Sequence, residues 1–260
     1  GSKKSTPYAA QMAAQDCAYD LDAKIASCAF TKTGYTFVSW NTAANGTGTS
    51  YTAGSTQKNL REENGDSITL YAIWKQQTYV LTVDTANGLT NTTSNLVYGA
   101  QKVLSQPSRT GYTFGGWYKE TACTNEWNFE TDTVTQDTTL YAKWTPATNT
   151  AYVVEHYQQD VTGDGYTKVD ADTENLTGTT GETATFTSKT YTGFKYDHAE
   201  PADATIAADG STIVKLYYKR TTADVTFDSQ GGSAVAPIEG VRYGATISAP
   251  EAPTKTGYNF

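Results

Sequence analysis

The sequence predicts a mainly β protein, or a small α+β one, built from tandem modules, and three observations support this. Tyrosine and tryptophan, which favour pleated and half-buried strands, number 19 and 5 among 260 residues, and threonine and valine recur throughout. Glycine numbers 22, and pairs such as Asn45-Gly46 and Asp209-Gly210 suit the tight turns of hairpins. No stretch keeps a 3.6-residue apolar period, so each module has room for at most one short helix.

Internal repetition is the strongest feature of the chain. Residues 33–40 read TGYTFVSW, residues 110–117 read TGYTFGGW, and residues 256–260 begin the same phrase as TGYNF. The first two copies are followed by a second shared phrase, ITLYAIW at 68–74 and TTLYAKW at 138–144. Self-similarity of this kind indicates an array of similar modules in series.

The spacing of the phrases sets the length of the module. Gly34 and Gly111 are 77 positions apart, and Gly111 and Gly257 are 146 apart, which is close to two such units. Upstream phrases match as well, since residues 79–84 (YVLTVD) parallel residues 223–228 (ADVTFD). The repeat therefore extends beyond the aromatic phrase to a preceding strand.

These phrases resemble the Listeria–Bacteroides repeat, also called the internalin B-type repeat. Its pattern runs from a V-T-F-D strand through Y-G and G-Y-T-F-x-G-W-Y to T-L-Y-A-x-W. The resemblance divides the chain into module 1 (residues 1–75), module 2 (76–146) and a truncated module 4 (222–260). Module 1 departs from the pattern, because its expected opening strand falls on SKKST at residues 2–6, and it carries a longer insertion at residues 43–65.

Residues 147–221 form a different module, module 3, of similar length. Apolar and polar residues alternate in AYVVEHY (151–157) and TIVKLYY (212–218), which predicts two strands. The YVVEHY opening and the LYYKR ending resemble a MucBP-like, mucin-binding-protein module. The two resemblances imply small β-grasp-like (ubiquitin-like) folds, and the short linkers expected at 75–78 and 145–148 predict an extended, semi-rigid rod.

The repeated glycine and aromatic positions are expected to form the structural core of the repeats, because a module this small has no surplus apolar residues. Stacking on sugars is the alternative role for the rings. Trp127 and Phe129, which are not repeated, are freer to bind, although packing is expected for them too. The predicted core positions are Gly34, Tyr35, Phe37, Trp40, Tyr71, Trp74, Gly111, Tyr112, Phe114, Trp117, Tyr141 and Trp144.

Charge and hydropathy exclude several kinds of partner. The net charge of -8 argues against nucleic acid and anionic membrane surfaces, which require clustered lysine and arginine. No run of 18 apolar residues is present, so no membrane insertion is expected in this fragment. A monomer is expected.

The residue patterns also predict that the chain is not an enzyme and carries no cofactor or metal. Neither a Gly-x-Ser-x-Gly nucleophile motif nor a phosphate-binding glycine loop occurs. His156 and His198 stand outside any zinc-ligand spacing, and His156 is expected to be an ordinary surface or packed strand residue. Residues 160–165 (DVTGDG) imitate the start of a calcium loop, but position 12 is Ala171, so a polar hairpin loop is favoured.

The three cysteines are too few for a disulfide scaffold. A Cys17–Cys28 bridge is possible on spacing, free thiols are favoured, and Cys123 has no evident partner.

Two functions follow from these observations. The first is a non-catalytic, extracellular stalk or spacer in a bacterial cell-surface protein, attached to the cell wall and acting as an adhesin. The alternative is direct binding of mucin glycans or a host surface protein by the modules. A non-catalytic appendage of a secreted enzyme is a third possibility.

Overall fold

The computed structural model describes residues 10–60 and 67–260, and this part of the protein is nearly all β, with 40% strand and 1% helix. The mainly β prediction is therefore confirmed. The opening strand expected at residues 2–6 lies outside the described residues, as do positions 61–65 of the module 1 insertion.

Modules 1 and 2 supply nine strands within the described residues. They are β1 (Ala23–Lys24), β2 (Tyr35–Asn41), β3 (Ser50–Tyr51), β4 (Thr56–Gln57), β5 (Tyr71–Gln76), β6 (Thr78–Asp84), β7 (Thr92–Val97), β8 (Tyr112–Tyr118) and β9 (Thr138–Pro146).

Modules 3 and 4 supply seven strands and one 3₁₀ turn. They are β10 (Thr150–Gln159), β11 (Tyr166–Lys168), the 3₁₀ turn Asp170–Asp172, β12 (Glu174–Gly178), β13 (Phe194–Glu200), β14 (Ile213–Arg220), β15 (Thr222–Val225) and β16 (Ile238–Arg242).

The chain divides into two compact units. One comprises Gly1–Gln106 with Gly116–Lys143, and the other comprises Pro107–Gly115 with Trp144–Phe260.

In module 1 the two repeated phrases form neighbouring strands. β2 carries the TGYTF phrase and pairs antiparallel with β5, which carries the LYAIW phrase, and β3 lies on the other side of β2. A separate two-stranded sheet joins β1 to β4. Ile25 and Trp40 are buried, at 5% and 6% exposure.

Module 2 has a four-stranded mixed sheet in the order β7-β6-β9-β8. β6 pairs antiparallel with β7 and parallel with β9, so a parallel pair occupies the centre. Leu81 and Leu140 from these two strands are almost fully buried. Parallel strands cannot be joined by a tight turn, which is why the β6-to-β9 connection includes a hairpin, a long segment and another strand.

Module 3 repeats this arrangement with one strand more. The sheet order is β11-β10-β14-β13, β12 also pairs with β10, and β10 and β14 are parallel. Alternate residues of β10 and β14 point to one face, because the side-chain period of a strand is two. The core on that face consists of Tyr152, Val154, Ala184, Ala204, Ile206, Val214, Leu216 and Tyr218.

Module 4 contributes an antiparallel pair of strands, β15 and β16. The TGYNF phrase at its end forms a turn in which the Tyr258 N–H donates to the Lys255 carbonyl at 3.0 Å.

Connections between modules are shorter than the sequence predicted. β5 ends at Gln76 and β6 begins at Thr78, and β14 ends at Arg220 and β15 begins at Thr222. A single residue, Gln77 or Thr221, therefore separates the last strand of one module from the first strand of the next. Three residues separate β9 from β10.

Candidate functional site

In module 1 the repeated aromatic rings pack on one another. Phe37 makes edge-to-face contacts with Trp40 at 5.2 Å and with Trp74 at 5.9 Å between ring centroids. The indole N–H of Trp40 donates to the Ala26 carbonyl at 2.9 Å, so its polar atom is satisfied inside the module. Tyr71 differs from the other rings, since 42% of its surface is exposed.

The second copy of the phrase has the same kind of packing. Phe114 meets Trp144 edge-to-face at 5.6 Å, as Phe37 meets Trp74. Trp117 is 4% exposed, and its carbonyl accepts from the N–H of Trp127, which is also buried.

The remaining predicted positions lie in the turn and strand of each phrase. Gly34 and Gly111 adopt φ angles of +76° and +73°. The rings of Tyr35 and Tyr112 are half-buried and lie under the cations of Lys32 and Arg109, at 3.9 and 4.0 Å from the ring centroids. Half-buried Tyr141 lies on β9.

The outer face of module 3 carries a ladder of stacked rings. Tyr157 and Tyr217 are paired across β10 and β14 and stack at 5.4 Å, and His198 on β13 stacks on Tyr217 at 4.7 Å. Tyr166 on β11 meets Tyr217 edge-to-face at 5.0 Å. His198 is the most exposed of these rings, with 53% of its side chain accessible. We call Tyr157, Tyr166, His198 and Tyr217 the ring ladder.

Two tyrosine hydroxyls of the ring ladder donate hydrogen bonds to carboxylates. Tyr157 donates to Glu155 at 2.8 Å, and Tyr217 donates to Glu200 at 3.1 Å. The hydrogen bond to Glu155 raises the pKa of Tyr157, and burial followed by the bond to Glu200 raises the pKa of Tyr217. The hydroxyls of Tyr157 and Tyr217 therefore stay protonated at neutral pH.

On the opposite face of module 3, His156 lies in a buried polar network. Its side chain is 0% exposed, with Nδ1 at 2.9 Å from the Tyr218 hydroxyl and Nε2 at 3.0 Å from Glu174. The Tyr218 hydroxyl also accepts the backbone N–H of Lys189 at 2.9 Å. The Tyr218 hydroxyl therefore links the His156 ring to the backbone of Lys189.

Charged groups complete this network at the edge of the module. The Lys189 ammonium lies 3.2 Å from both Asp172 and Glu174, and Tyr191 donates to Asp172 at 2.7 Å. Hydrogen bonds from Tyr191 and Lys189 lower the pKa of Asp172. Burial acts to raise the pKa of Glu174, but hydrogen bonds from His156 and Lys189 more than offset it, so this pKa is lowered.

The loop that imitates a calcium site is occupied by a guanidinium group. Nη1 of Arg242, on β16, donates to the carbonyls of Asp160, Val161 and Gly163, and Nη2 lies 3.5 Å from an Asp164 carboxylate oxygen. Of the two carboxylates in the expected calcium positions, only that of Asp164 lies near the guanidinium, whereas that of Asp160 accepts from the Thr167 hydroxyl at 2.6 Å. The loop joins β10 to β11, as a polar hairpin loop does.

Cysteines and acidic clusters offer no further site in the described part of the chain. Cys17, Cys28 and Cys123 are free. Among residues 10–60 and 67–260, no group of three or more histidine, cysteine or acidic side chains is placed to hold a metal ion. In the same residues no helix is long and apolar enough to cross a membrane.

The fold and these surfaces define an all-β repeat protein whose repeated aromatic residues pack within its own modules. The chain matches the Listeria-Bacteroides repeat domain family over residues 9–73, 79–143 and 224–260, which together are more than half of its length. It belongs to this family.

Three relatives illustrate where such repeats occur. A putative Gly-rich membrane protein and a putative membrane protein, both of Evansella cellulosilytica, are 28% identical over 236 and 202 residues, which are 88% and 74% of this chain. Internalin H of Listeria monocytogenes is 37% identical over 123 residues, or 46% of this chain. The chain spans only 26%, 29% and 21% of the lengths of these relatives.

His156 is packed, which is one of the two outcomes expected for it, but its polar network and the ring ladder were not predicted from the sequence. His156 has the same parity on β10 as buried Tyr152 and Val154, so strand alternation alone could have placed it inside. The ring ladder needed knowledge of pairing, because Tyr166, His198 and Tyr217 come from three separate strands. No pattern in the sequence sets that pairing.

Proposed function

We propose that this chain is a non-catalytic, extracellular stalk or spacer region of a bacterial cell-surface protein that serves as an adhesin. Membership of the repeat family supports this, as do relatives named as membrane proteins and an internalin. We also infer that modules 2 and 3 are β-grasp-like and that module 3 is MucBP-like. The central parallel pair flanked by antiparallel strands in both modules supports the shared fold.

The observation that carries the stalk proposal is the length of the connections. One residue, Gln77 or Thr221, separates consecutive modules at two boundaries. Flexible linkers of many residues would let modules fold back on one another, whereas a single residue adds almost no reach. Modules added in this way increase length without requiring a larger core.

Small-angle scattering from the 260-residue chain tests this proposal. A compact domain of this length would have a radius of gyration of roughly 18 Å. The stalk proposal requires a value well above that, with a maximum dimension that decreases when modules 3 and 4 are removed together at Thr145. A radius close to the compact value for the whole chain would overturn the stalk.

The ring ladder favours a second candidate function, direct binding of mucin glycans or a host surface protein. Aromatic rings flanked by carboxylates and amides are a common surface for stacking and hydrogen bonding with a sugar ring. The ladder lies on a sheet face away from the module 3 core, with half-buried tyrosines and exposed His198.

A mucin pull-down and a glycan array on the full chain distinguish the two functions. If the ladder binds, His198→Ala and Tyr157→Ala reduce retention, while Tyr71→Ala, which removes an exposed tyrosine from module 1, leaves it unchanged. Absence of binding by the unsubstituted chain would eliminate the second candidate and leave the stalk.

A further inference from the structure

We infer that the module boundaries are built joints. In each joint the glycine of one module's turn and the connecting residue together hold a glycine-containing turn of the next module, at residues 98–99, 180–181 or 243–244. The inference goes beyond the proposed stalk, because it holds whether the region is a spacer or a binder. Three sets of contacts, each inside a single compact unit, carry it.

The first joint is centred on Gln77. The Gln77 N–H donates to the Gly34 carbonyl at 2.8 Å, and the Gln77 carbonyl accepts from the Tyr98 N–H at 2.8 Å. The side-chain amide of Gln76 adds a bond to the Tyr98 carbonyl at 2.9 Å. Both backbone groups of the connecting residue are thus used, one toward module 1 and one toward module 2.

The same arrangement recurs at Thr221. Its N–H donates to the Gly193 carbonyl at 2.9 Å, and its carbonyl accepts from the Tyr243 N–H at 2.8 Å. Nη1 of Arg220 donates to the Tyr243 carbonyl at 2.8 Å, as the Gln76 amide does to Tyr98. Arg242 adds its bonds to the loop that begins at Asp160.

A third copy of the backbone pattern lies at Ala147, also within the second compact unit. The Ala147 N–H donates to the Gly111 carbonyl, and its carbonyl accepts from the Thr180 N–H, both at 2.9 Å. The connecting residue is therefore glutamine, threonine or alanine at the three positions. The two backbone hydrogen bonds recur at all three positions, whereas the side chain of the connecting residue differs.

The glycines are essential to the joint for two separate reasons. Gly34 and Gly193 adopt φ angles of +76° and +80°, which residues with a side chain rarely adopt. A Cβ added at Gly34 would lie 2.1 Å from Cδ1 of Tyr98, and one at Gly193 would lie 2.0 Å from Cδ1 of Tyr243. The next module's tyrosine ring thus rests directly on the bare glycine backbone.

These contacts restrain movement between neighbouring modules. Rotation about the connecting residue would break both of its hydrogen bonds and lift the tyrosine from the glycine. Such a rotation would exchange both hydrogen bonds for bonds to water and would lose the contact between the ring and the glycine. Modules 1 and 2 are therefore expected to move together, and so are modules 3 and 4.

Distances between two spin labels within the first compact unit test the joint at Gln77. The labels are placed on Val38→Cys in module 1 and Thr135→Cys in module 2, both exposed positions, in the full chain with Cys17, Cys28 and Cys123 changed to serine. The unsubstituted joint is expected to give one narrow distance distribution. Gly34→Ala is expected to broaden and shift it.

Gly88→Ala is the matched control, because Gly88 has a similar φ of +87° but nothing within 4 Å of an added Cβ. It carries the same backbone strain without touching the joint, so it is expected to leave the distribution unchanged. Tyr98→Ala removes the ring without straining the glycine, and broadening is expected there too, even if Gly34→Ala does not fold.

A broad distribution in the unsubstituted chain would overturn the inference. So would a distribution that stays equally narrow in Tyr98→Ala, or one that broadens as much in Gly88→Ala as in Gly34→Ala. None of these results bears on whether the whole region is a stalk, which the scattering experiment decides separately.

Discussion

His156 shows how one side chain can hold together parts of a module that are distant in sequence. Its two ring nitrogens join Tyr218, 62 positions away, to Glu174, 18 positions away. Since the side chain is fully buried, each nitrogen must find its partner inside the protein. The histidine therefore fixes how β10, β12 and β14 fit together.

Replacing His156 with leucine is expected to destabilise module 3. The buried Tyr218 hydroxyl would lose its bond to the histidine ring, at a cost of about 1–3 kcal/mol. Urea unfolding followed by far-UV circular dichroism measures the change. His198→Leu is the control, because its side chain is 53% exposed, and an equal loss in both variants would contradict the assigned role of His156.

Glu120 provides a pH-dependent contact in module 2. Its carboxylate accepts from the Thr124 hydroxyl and from the backbone N–H groups of Thr124 and Asn125. The bond from the Thr124 hydroxyl, followed by the Asn125 N–H, lowers the pKa of Glu120 from 4.5 to about 2. The carboxylate thus organises a loop that includes Cys123, whose φ is +50°.

The stabilisation from Glu120 is expected to depend on pH in one direction. Because the folded pKa is lower than the unfolded value of 4.5, the contribution is complete above pH 4.5 and is lost as pH falls toward 2. Melting temperatures of the unsubstituted chain and of Glu120→Gln should therefore differ at pH 6 and converge near pH 2. A difference that persists unchanged at pH 2 would contradict this, and Glu130→Gln serves as an exposed control.

At the scale of elements, Asn41 organises the turn between β2 and β3. It is 0% exposed, and its amide donates to the carbonyls of Gly46 and Gly48 and to the Ser50 hydroxyl. Its side-chain oxygen accepts from the N–H groups of Ala43 and Gly48. One side chain therefore supplies the bonds that a regular hairpin would obtain from its strands.

Asn41→Ala is expected to destabilise module 1 by about 1–3 kcal/mol, since the hydrogen bonds that the buried Asn41 amide makes to the loop would be lost. Tryptophan fluorescence during urea unfolding is a suitable measurement, because Trp40 precedes the position directly. Asn45→Ala alters the same loop at an exposed side chain and should cost much less. Similar losses in the two variants would exclude the organising role.

Strands were easier to predict from the sequence than sheets. β2 and β8 coincide with the repeated TGYTF phrase, and β10 and β14 with the alternating segments, because a half-buried strand has a period of two that is visible locally. Sheet order was not visible, since pairing joins segments such as β6 and β9 that are distant in sequence. The possible helix of each module is absent from module 2, where no helix is found between β7 and β8.

The candidate surfaces differ in the same way, since some depend on local sequence patterns and others on contacts between distant segments. The repeated rings were identified from sequence because the same positions recur in two modules, and Phe37 and Phe114 make equivalent contacts. The ring ladder and the joints depend on long-range contacts, such as Gly193 with Tyr243. Each joint is made of residues from two neighbouring modules, so the sequence of a single repeat does not contain all of them.

At the scale of the whole molecule, the acidic charge gives a simple prediction about partners. A net charge of -8 should repel polyanions, since binding to them depends on releasing counterions through many lysine and arginine contacts. The chain is expected to pass through a heparin column without retention at physiological salt. Retention that is lost when salt is added would contradict this prediction, because it would show a local basic surface despite the negative net charge.

The single-residue connections also bear on how the protein resists proteases. A protease must draw several residues of extended backbone into its cleft, and exposed loop tips normally provide them. At Gln77 and Thr221 both backbone groups are already bonded to the neighbouring modules, so no free stretch is available there. Cleavage is therefore expected in exposed loops inside the modules, and Gln77 and Thr221 are expected to resist it although they lie at boundaries that are often vulnerable in multidomain proteins.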